Sequence, residues 1–220
     1  MGKRATRYSQ LLRFYHTYLR EGDTPCFIRS VAQSYTLGSL ERLLLSGDKH
    51  TRRASAIALG LIGDISNMPT LGPILSDPDR KLRLVVDDAV RSIAAREGTP
   101  YQRQQLELIV RANECGQFED SIELATEAIE GGDSNAEIIH QRSLAFFQSD
   151  AIELAIEDCH QVLKLNEFHY GAMVGLGHCH LELGDLLEAL SWFRNALVVF
   201  PDLEPVRMQV RQLEKAIQEL

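Results

Sequence analysis

What the sequence lacks narrows its chemistry first. Its longest stretch without a charged residue runs only from Phe168 to Leu181 and holds three histidines. A membrane-spanning helix needs roughly 18 or more apolar residues, so no span is expected. Positive charge opens the chain in MGKRATRYSQ, but no apolar segment follows it, so no secretory leader is expected either. Cysteine is scarce: Cys26, Cys115, Cys159 and Cys179 make no CxxC pair and no tight framework. They read as free, reduced thiols of a cytoplasmic protein. The P-loop and Gly-x-Ser-x-Gly patterns are missing. Ser46-x-x-Lys49 has neither the Ser-Asp-Asn nor the Lys-Thr-Gly companion that a nucleophile of that type requires. No segment alternates as a strand does, so the chain is expected to be all-α.

The one stretch that resembles a metal site is His178-Cys179-His180. Helical neighbours are about 100° apart, so His178 and His180 face away from each other and cannot share an ion. No two histidines have the i, i+3 or i, i+4 spacing that a helical ligand pair needs. No metal, no cofactor and no enzymatic activity are expected. Charge is unevenly spread: residues 1–100 carry 15 Lys/Arg against 10 Asp/Glu, and residues 101–220 carry 8 against 21. A basic first half and an acidic second half also offer a route to self-association.

What is present is repetition. The second half repeats with a period of 34, as units 102–135, 136–169 and 170–203, with no insertion. Ile109, Ser143 and Gly177 share one place in the unit, Ser121, Ala155 and Ala189 another, and Ala128, Val162 and Ala196 a third. Turn residues recur at Gly116-Gln117, Ser149-Asp150 and Gly184-Asp185. In the third unit Met173, Leu176, Gly177 and His180 lie on one helix face, and Ala189, Phe193, Ala196 and Leu197 on another. Leu176-Gly177, Ala189-x3-Phe193 and Pro201 make this half resemble the tetratricopeptide repeat (TPR) family. His180 replaces the usual aromatic residue, the second unit has Cys159 and Glu167 where the family has an aromatic and a proline, and the first unit has Gln105, Ala112 and Ala125 at signature places. After the units, Val206, Val210, Leu213, Ile217 and Leu220 form the stripe of a capping helix.

The first half repeats with a period of 31: Leu40, Leu43 and Leu44 align with Leu71, Ile74 and Leu75. Asp48 aligns with Asp79, Arg52 with Arg83, Ala58 with Ala89 and Ile62 with Ile93. Over about 37–97 this resembles the short HEAT-like repeats of the phycobilisome-lyase type. That resemblance implies a structural role for the turn aspartate and arginine. Some HEAT-like proteins are lyases or hydroxylases whose iron is held by His-Glu dipeptides, and no histidine here is followed by glutamate. Upstream, Tyr8, Leu11, Leu12, Tyr15, Tyr18 and Leu19 mark an amphipathic helix ending at Gly22. Gly98-Thr99-Pro100 breaks the pattern, giving an N-terminal domain over 1–97, a hinge at 98–101 and a TPR domain over 102–220.

The resemblances imply a right-handed α-solenoid and a non-catalytic scaffold that binds a protein or peptide. In TPR proteins the first helix of each unit lines the groove. Transferred to this chain, that places Arg103, Leu106, Val110 and Asn113, then His140, Leu144 and Phe147, then Val174, His178 and Leu181 against a partner. Few of these are cations, so a clamp for a C-terminal carboxylate is not expected. Lys49, Arg52, Arg53, Arg80, Lys81 and Arg83 recur on one turn edge of the first half and form a possible nucleic-acid contact. Aspartates at the same turns offer those arginines internal partners, and nucleic acid is the weaker reading.

Overall fold

Helix boundaries follow the two sequence periods. The computed structural model describes residues 2–132 and 135–219, with side chains from Gln10 onward. The first helices are α1 (Gly2–Glu21), α2 (Thr24–Ser34), α3 (Leu37–Ser46), α4 (Lys49–Ile62), α5 (Met68–Leu71) and α6 (Arg80–Arg96). There follow α7 (Pro100–Glu114), α8 (Phe118–Glu130), α9 (Ala136–Gln148), α10 (Ile152–Leu165), α11 (Tyr170–Glu182), α12 (Leu186–Val199) and α13 (Glu204–Gln218). Among the described residues there is no strand, and no helix is long and apolar enough to cross a membrane. The chain forms two compact units, Met1–Arg96 and Glu97–Leu220. Of the residues 98–101 expected to form a hinge, Pro100 and Tyr101 belong to α7. Thr99 caps that helix in a capping box with Gln102, which is why the helix starts early.

In the first unit, α3 and α5 start one sequence period apart, at Leu37 and Met68, and so do α4 and α6, at Lys49 and Arg80. Asp48 accepts from the backbone N–H groups of His50 and Thr51, and Asp79 accepts from that of Lys81. Each aspartate satisfies orphan donors at a helix start. The counterpart of α3 is broken: α5 has one turn, flanked by 3-10 turns at Ile65–Asn67 and Gly72–Ser76. Pro69 and Pro73 lack the N–H groups that a continuous α-helix would use there. Leu40, Leu44, Leu59, Leu71, Leu75, Leu82 and Ile93 are fully buried within this unit. Of the N-terminal stripe, Leu11 and Tyr15 are buried while Leu19 is exposed, and the side chain of Tyr8 lies outside the described residues.

The second unit is a run of helical pairs. Its second helices α8, α10 and α12 start at Phe118, Ile152 and Leu186, in step with the longer period. The turn inside each pair is the same hydrogen-bonded structure: Gln117, Ala151 and Asp185 donate their backbone N–H to the carbonyls of Ala112, Phe146 and His180. The residue one place before each donor is left-handed, with φ +73 at Gly116, +61 at Asp150 and +77 at Gly184. Glycine adopts that conformation freely; Asp150 does so as an aspartate. Within the third pair a Cβ on Gly177 would stand 2.5 Å from the Phe193 ring, so only glycine lets α11 and α12 approach this closely. The helix α13 then lays Val206, Val210 and Leu213 over Ala189, Leu190 and Phe193. Leu220, expected at the end of that stripe, lies outside the described residues.

Two outcomes follow for the purified protein. Gly177→Ala should lower stability by about 1–3 kcal/mol in a denaturant titration, the usual cost of overpacking a tight core. A thiol reagent should label Cys26 and Cys115 promptly and reach Cys159 and Cys179 only on unfolding. Burial pushes the thiol of Cys159 up to about 11 and that of Cys179 to about 12, so neither presents thiolate at neutral pH.

Candidate functional site

In the second unit the first helices of successive pairs, α7, α9 and α11, pack on one another. The second helices α8 and α10 pack on the first helix of the next pair, and α12 on α13, rather than extensively on one another, so the first helices form the inner row. The ten residues expected on this row fare differently. Leu106 is corrected: at 8% exposure it belongs to the core with Ile109, Ala125, Ala128 and Ile138 and is not available to a partner. Ile138 is the residue that α9 contributes to this cluster. Val110 is half-buried on the same cluster, and Arg103 donates to the Gly98 carbonyl at 2.9 Å. Asn113 ties α7 to α9, its Nδ2 donating to the Gln141 carbonyl (2.9 Å) and to Gln141 Oε1 (3.0 Å).

Further along the row, Leu144 is exposed at 38%, while Phe147 leans on Ile152, Ala155 and Cys179. The ring centroid of His178 lies 6.3 Å from that of Phe147 and 5.2 Å from that of Phe193. Burial lowers the pKa of His178, and the charge of Glu182 partly offsets this. Val174 and Leu181 are half-buried against the α12–α13 core. Leu144, Phe147, His178 and Leu181 thus form a continuous, largely apolar strip across α9 and α11.

A polar group beside this strip went unnoticed in the sequence. Glu137, Gln141 and His169 join His140 and Asn113 there. Gln141 Nε2 donates to Glu137 Oε1 at 3.1 Å. His169 Nδ1 accepts from the Ala172 N–H, capping α11, and its Nε2 lies 3.6 Å from Glu137 Oε2. The His140 and His169 rings meet edge to face at 4.5 Å. They fit because Gly171 has no side chain: a Cβ there would stand 3.1 Å from His140 Nε2. His140 Nδ1 and Asn113 Oδ1 are buried without a hydrogen-bond partner among the described residues. Glu137 shares its place in the 34-residue unit with Arg103 and Gly171, and that alignment was the signal that could have found it.

The protonation states of this group are set by its packing. Burial, followed by the like charge of His169, pushes His140 down to about 4 against a smaller opposing pull from Glu137. Burial works against an ionised Glu137, but the nearby His169 ring, the charge of His140 and the Gln141 hydrogen bond together hold it at about 2. Glu97 is pushed up by burial and by the charge of Glu137. At neutral pH the group therefore holds an ionised Glu137 beside a neutral His140.

The basic edge of the first unit is largely committed within that unit. Arg52 donates through Nε to the Leu44 carbonyl (2.8 Å) and through Nη2 to Asp77 (2.6 Å). Arg53 pairs with Asp79 at 2.5 Å, and Arg83 donates to the Asp77 carbonyl at 2.7 Å. Lys49, Arg80 and Lys81 are exposed. Three of the six side chains thus hold the turns that bear them. Among the described residues no three His, Cys, Asp or Glu side chains are grouped so as to hold a metal ion.

No model of a known protein family matches the chain, and no curated protein matches it. Among solved structures, it is similar to the crystal structure of a thermophilic TPR protein of Thermus thermophilus, at 16% identity and a TM-score of 0.41. That alignment covers 94% of this chain and 98% of the other.

The His140–Glu137 group predicts acid sensitivity with a definite sign. An unfolded histidine takes up a proton near its ordinary 6.5, whereas folded His140 resists until about 4. Stability should therefore decline as pH falls through that window, by at most about 1.4 kcal/mol per pH unit for one proton. Glu137, held at about 2 against an ordinary 4.5, adds a further loss as pH falls from 4.5 towards 2. Denaturant melts from pH 7 to 4 should show a flatter profile for His140→Gln than for the wild type.

Proposed function

We propose that the chain is a non-catalytic scaffold, and that the inner row of its second unit binds a protein segment as an amphipathic helix or extended peptide. Four observations support reading this unit as three TPR-type pairs with a capping helix: the 34-residue spacing of helix starts, the three matching turns, and the buried Leu176-Gly177 and Ala189-x3-Phe193. The first unit is read as HEAT-like pairs after an N-terminal helix, on its 31-residue spacing and its paired turn aspartates. The observation that carries the functional reading is the apolar strip at Leu144, Phe147, His178 and Leu181. It lies on the side of the stack where the first helices converge and where a long partner can touch several pairs at once.

The chemistry of the row narrows the partner. A clamp for a terminal carboxylate needs cations, and among the residues assigned to this row only Arg103 carries a fixed positive charge, while Glu137 adds an ionised carboxylate. An apolar segment suits it better, with a few side chains supplying most of the binding energy. Nucleic acid is disfavoured by the internal pairing of Arg52, Arg53 and Arg83.

The test is capture of partners from lysate by the immobilised protein, with and without nuclease. Leu144→Glu should weaken capture at least tenfold, about 1.4 kcal/mol, at an unchanged Tm, because Leu144 is exposed. Phe147→Ala should weaken capture and also lower the Tm, since that ring packs on Ile152, Ala155 and Cys179. Capture that survives Leu144→Glu unchanged, or that vanishes with nuclease, would refute the proposal.

A further inference from the structure

The first unit holds a cleft unrelated to the inner row. It opens between the end of α1 and the start of α2, where the chain turns at Gly22, and has a volume of about 60 Å³. Phe14, Tyr18 and Phe27 form its apolar wall, with the Tyr18 and Phe27 rings stacked at 4.9 Å. Glu21, Asp23 and Cys26 stand at its rim. Among the described residues lining it there is no lysine, arginine or histidine, so two carboxylates face the cleft with no cation in its lining.

We propose that this cleft is a receptor for a lysine side chain of a partner protein: the aliphatic stem lies on Phe14, Tyr18 and Phe27, and the ammonium meets Glu21 and Asp23. The match is one of both shape and charge. A lysine side chain is an apolar stem with a charged tip, and an aromatic wall with an anionic rim is its complement. Both carboxylates have capacity to spare. Asp23 Oδ1 accepts from the Cys26 N–H as the cap of α2, leaving Oδ2 with no partner among the described residues. Among those residues Glu21 is paired only with its sequence neighbour Arg20, and the two side chains are 51% and 73% exposed. Such a pair is weak and readily exchanged for a better cation. The C-terminal end of α1 adds negative potential from its last carbonyls. Asp23 keeps one oxygen on the Cys26 N–H, so it offers no free two-oxygen edge for a guanidinium to take bidentately, whereas a compact ammonium needs one oxygen from each carboxylate.

The experiment is an NMR titration of the full chain with n-butylammonium, the lysine tip itself, alongside n-butanol and n-propylguanidinium. Saturable shifts of the amides of residues 14–30 are expected with n-butylammonium, at least tenfold tighter than with either control. The double variant Glu21→Gln, Asp23→Asn should lose that preference with its fold intact, because asparagine caps a helix as well as aspartate does. Should that variant be unstable, Glu21→Gln alone, at an exposed position, should weaken n-butylammonium at least threefold. Absence of saturable shifts, equal binding of n-butanol, tighter binding of n-propylguanidinium, or no effect of Glu21→Gln would each overturn the proposal.

Discussion

The second unit is organised around one arginine side chain that is only 15% exposed. Arg142, in the middle of α9, grips Asp158 of α10 through Nε and Nη2, both at 2.8 Å. Its Nη1 donates to Thr126 of α8 at 3.1 Å, and its Cζ lies 5.5 Å from the centroid of the Phe146 ring. Two charges taken this far out of water are tolerable only with full pairing, so the arrangement fixes three helices in one geometry. It also fixes the rotation of α9. At about 100° per residue, Glu137, His140, Leu144 and Phe147 fall on the side of the helix opposite Arg142. The side chains that α9 turns to the inner row are therefore set by a contact on the far side of the same helix.

Much of this was legible in the sequence because repetition records packing. The small residues in the 34-residue pattern are buried, and at Gly177 that smallness is what lets Phe193 approach. Turn residues that recur at that period became turns with the same hydrogen bonds. The 31-residue pattern located α3, α4 and α6, but it could not show that the helix pairing with α6 is broken, since hydrophobic spacing survives a switch to 3-10 turns. The candidate site was less legible. Periodicity identifies a helix face but not how far the next helix overlaps it, which is why Leu106 proved to be core. His169 precedes its helix, so no helical pattern includes it, and its role as a cap depends on a side-chain nitrogen in a place where hydroxyl and carboxylate oxygens are the usual acceptors.

The uneven charge also acquires a location. The helix α8 carries Glu119, Asp120, Glu123, Glu127 and Glu130, mostly on its solvent side, and no basic residue. On α10, Glu153 and Glu157 are likewise exposed. Much of the negative charge of the second half thus sits on second helices, away from the inner row. There it favours solubility without charging the apolar strip.

The matching turns at Gly116, Asp150 and Gly184 make the second unit nearly a one-dimensional lattice, each pair bound chiefly to its neighbours. In such a lattice, unfolding proceeds as unzipping from the ends, and the work of opening one step falls on the bond to the next. The strip from Leu144 to Leu181 straddles the joint between α9 and α11. A segment lying along it would act as a staple across two rungs, so that occupancy on one face would be felt as resistance to fraying at the far end of the ladder.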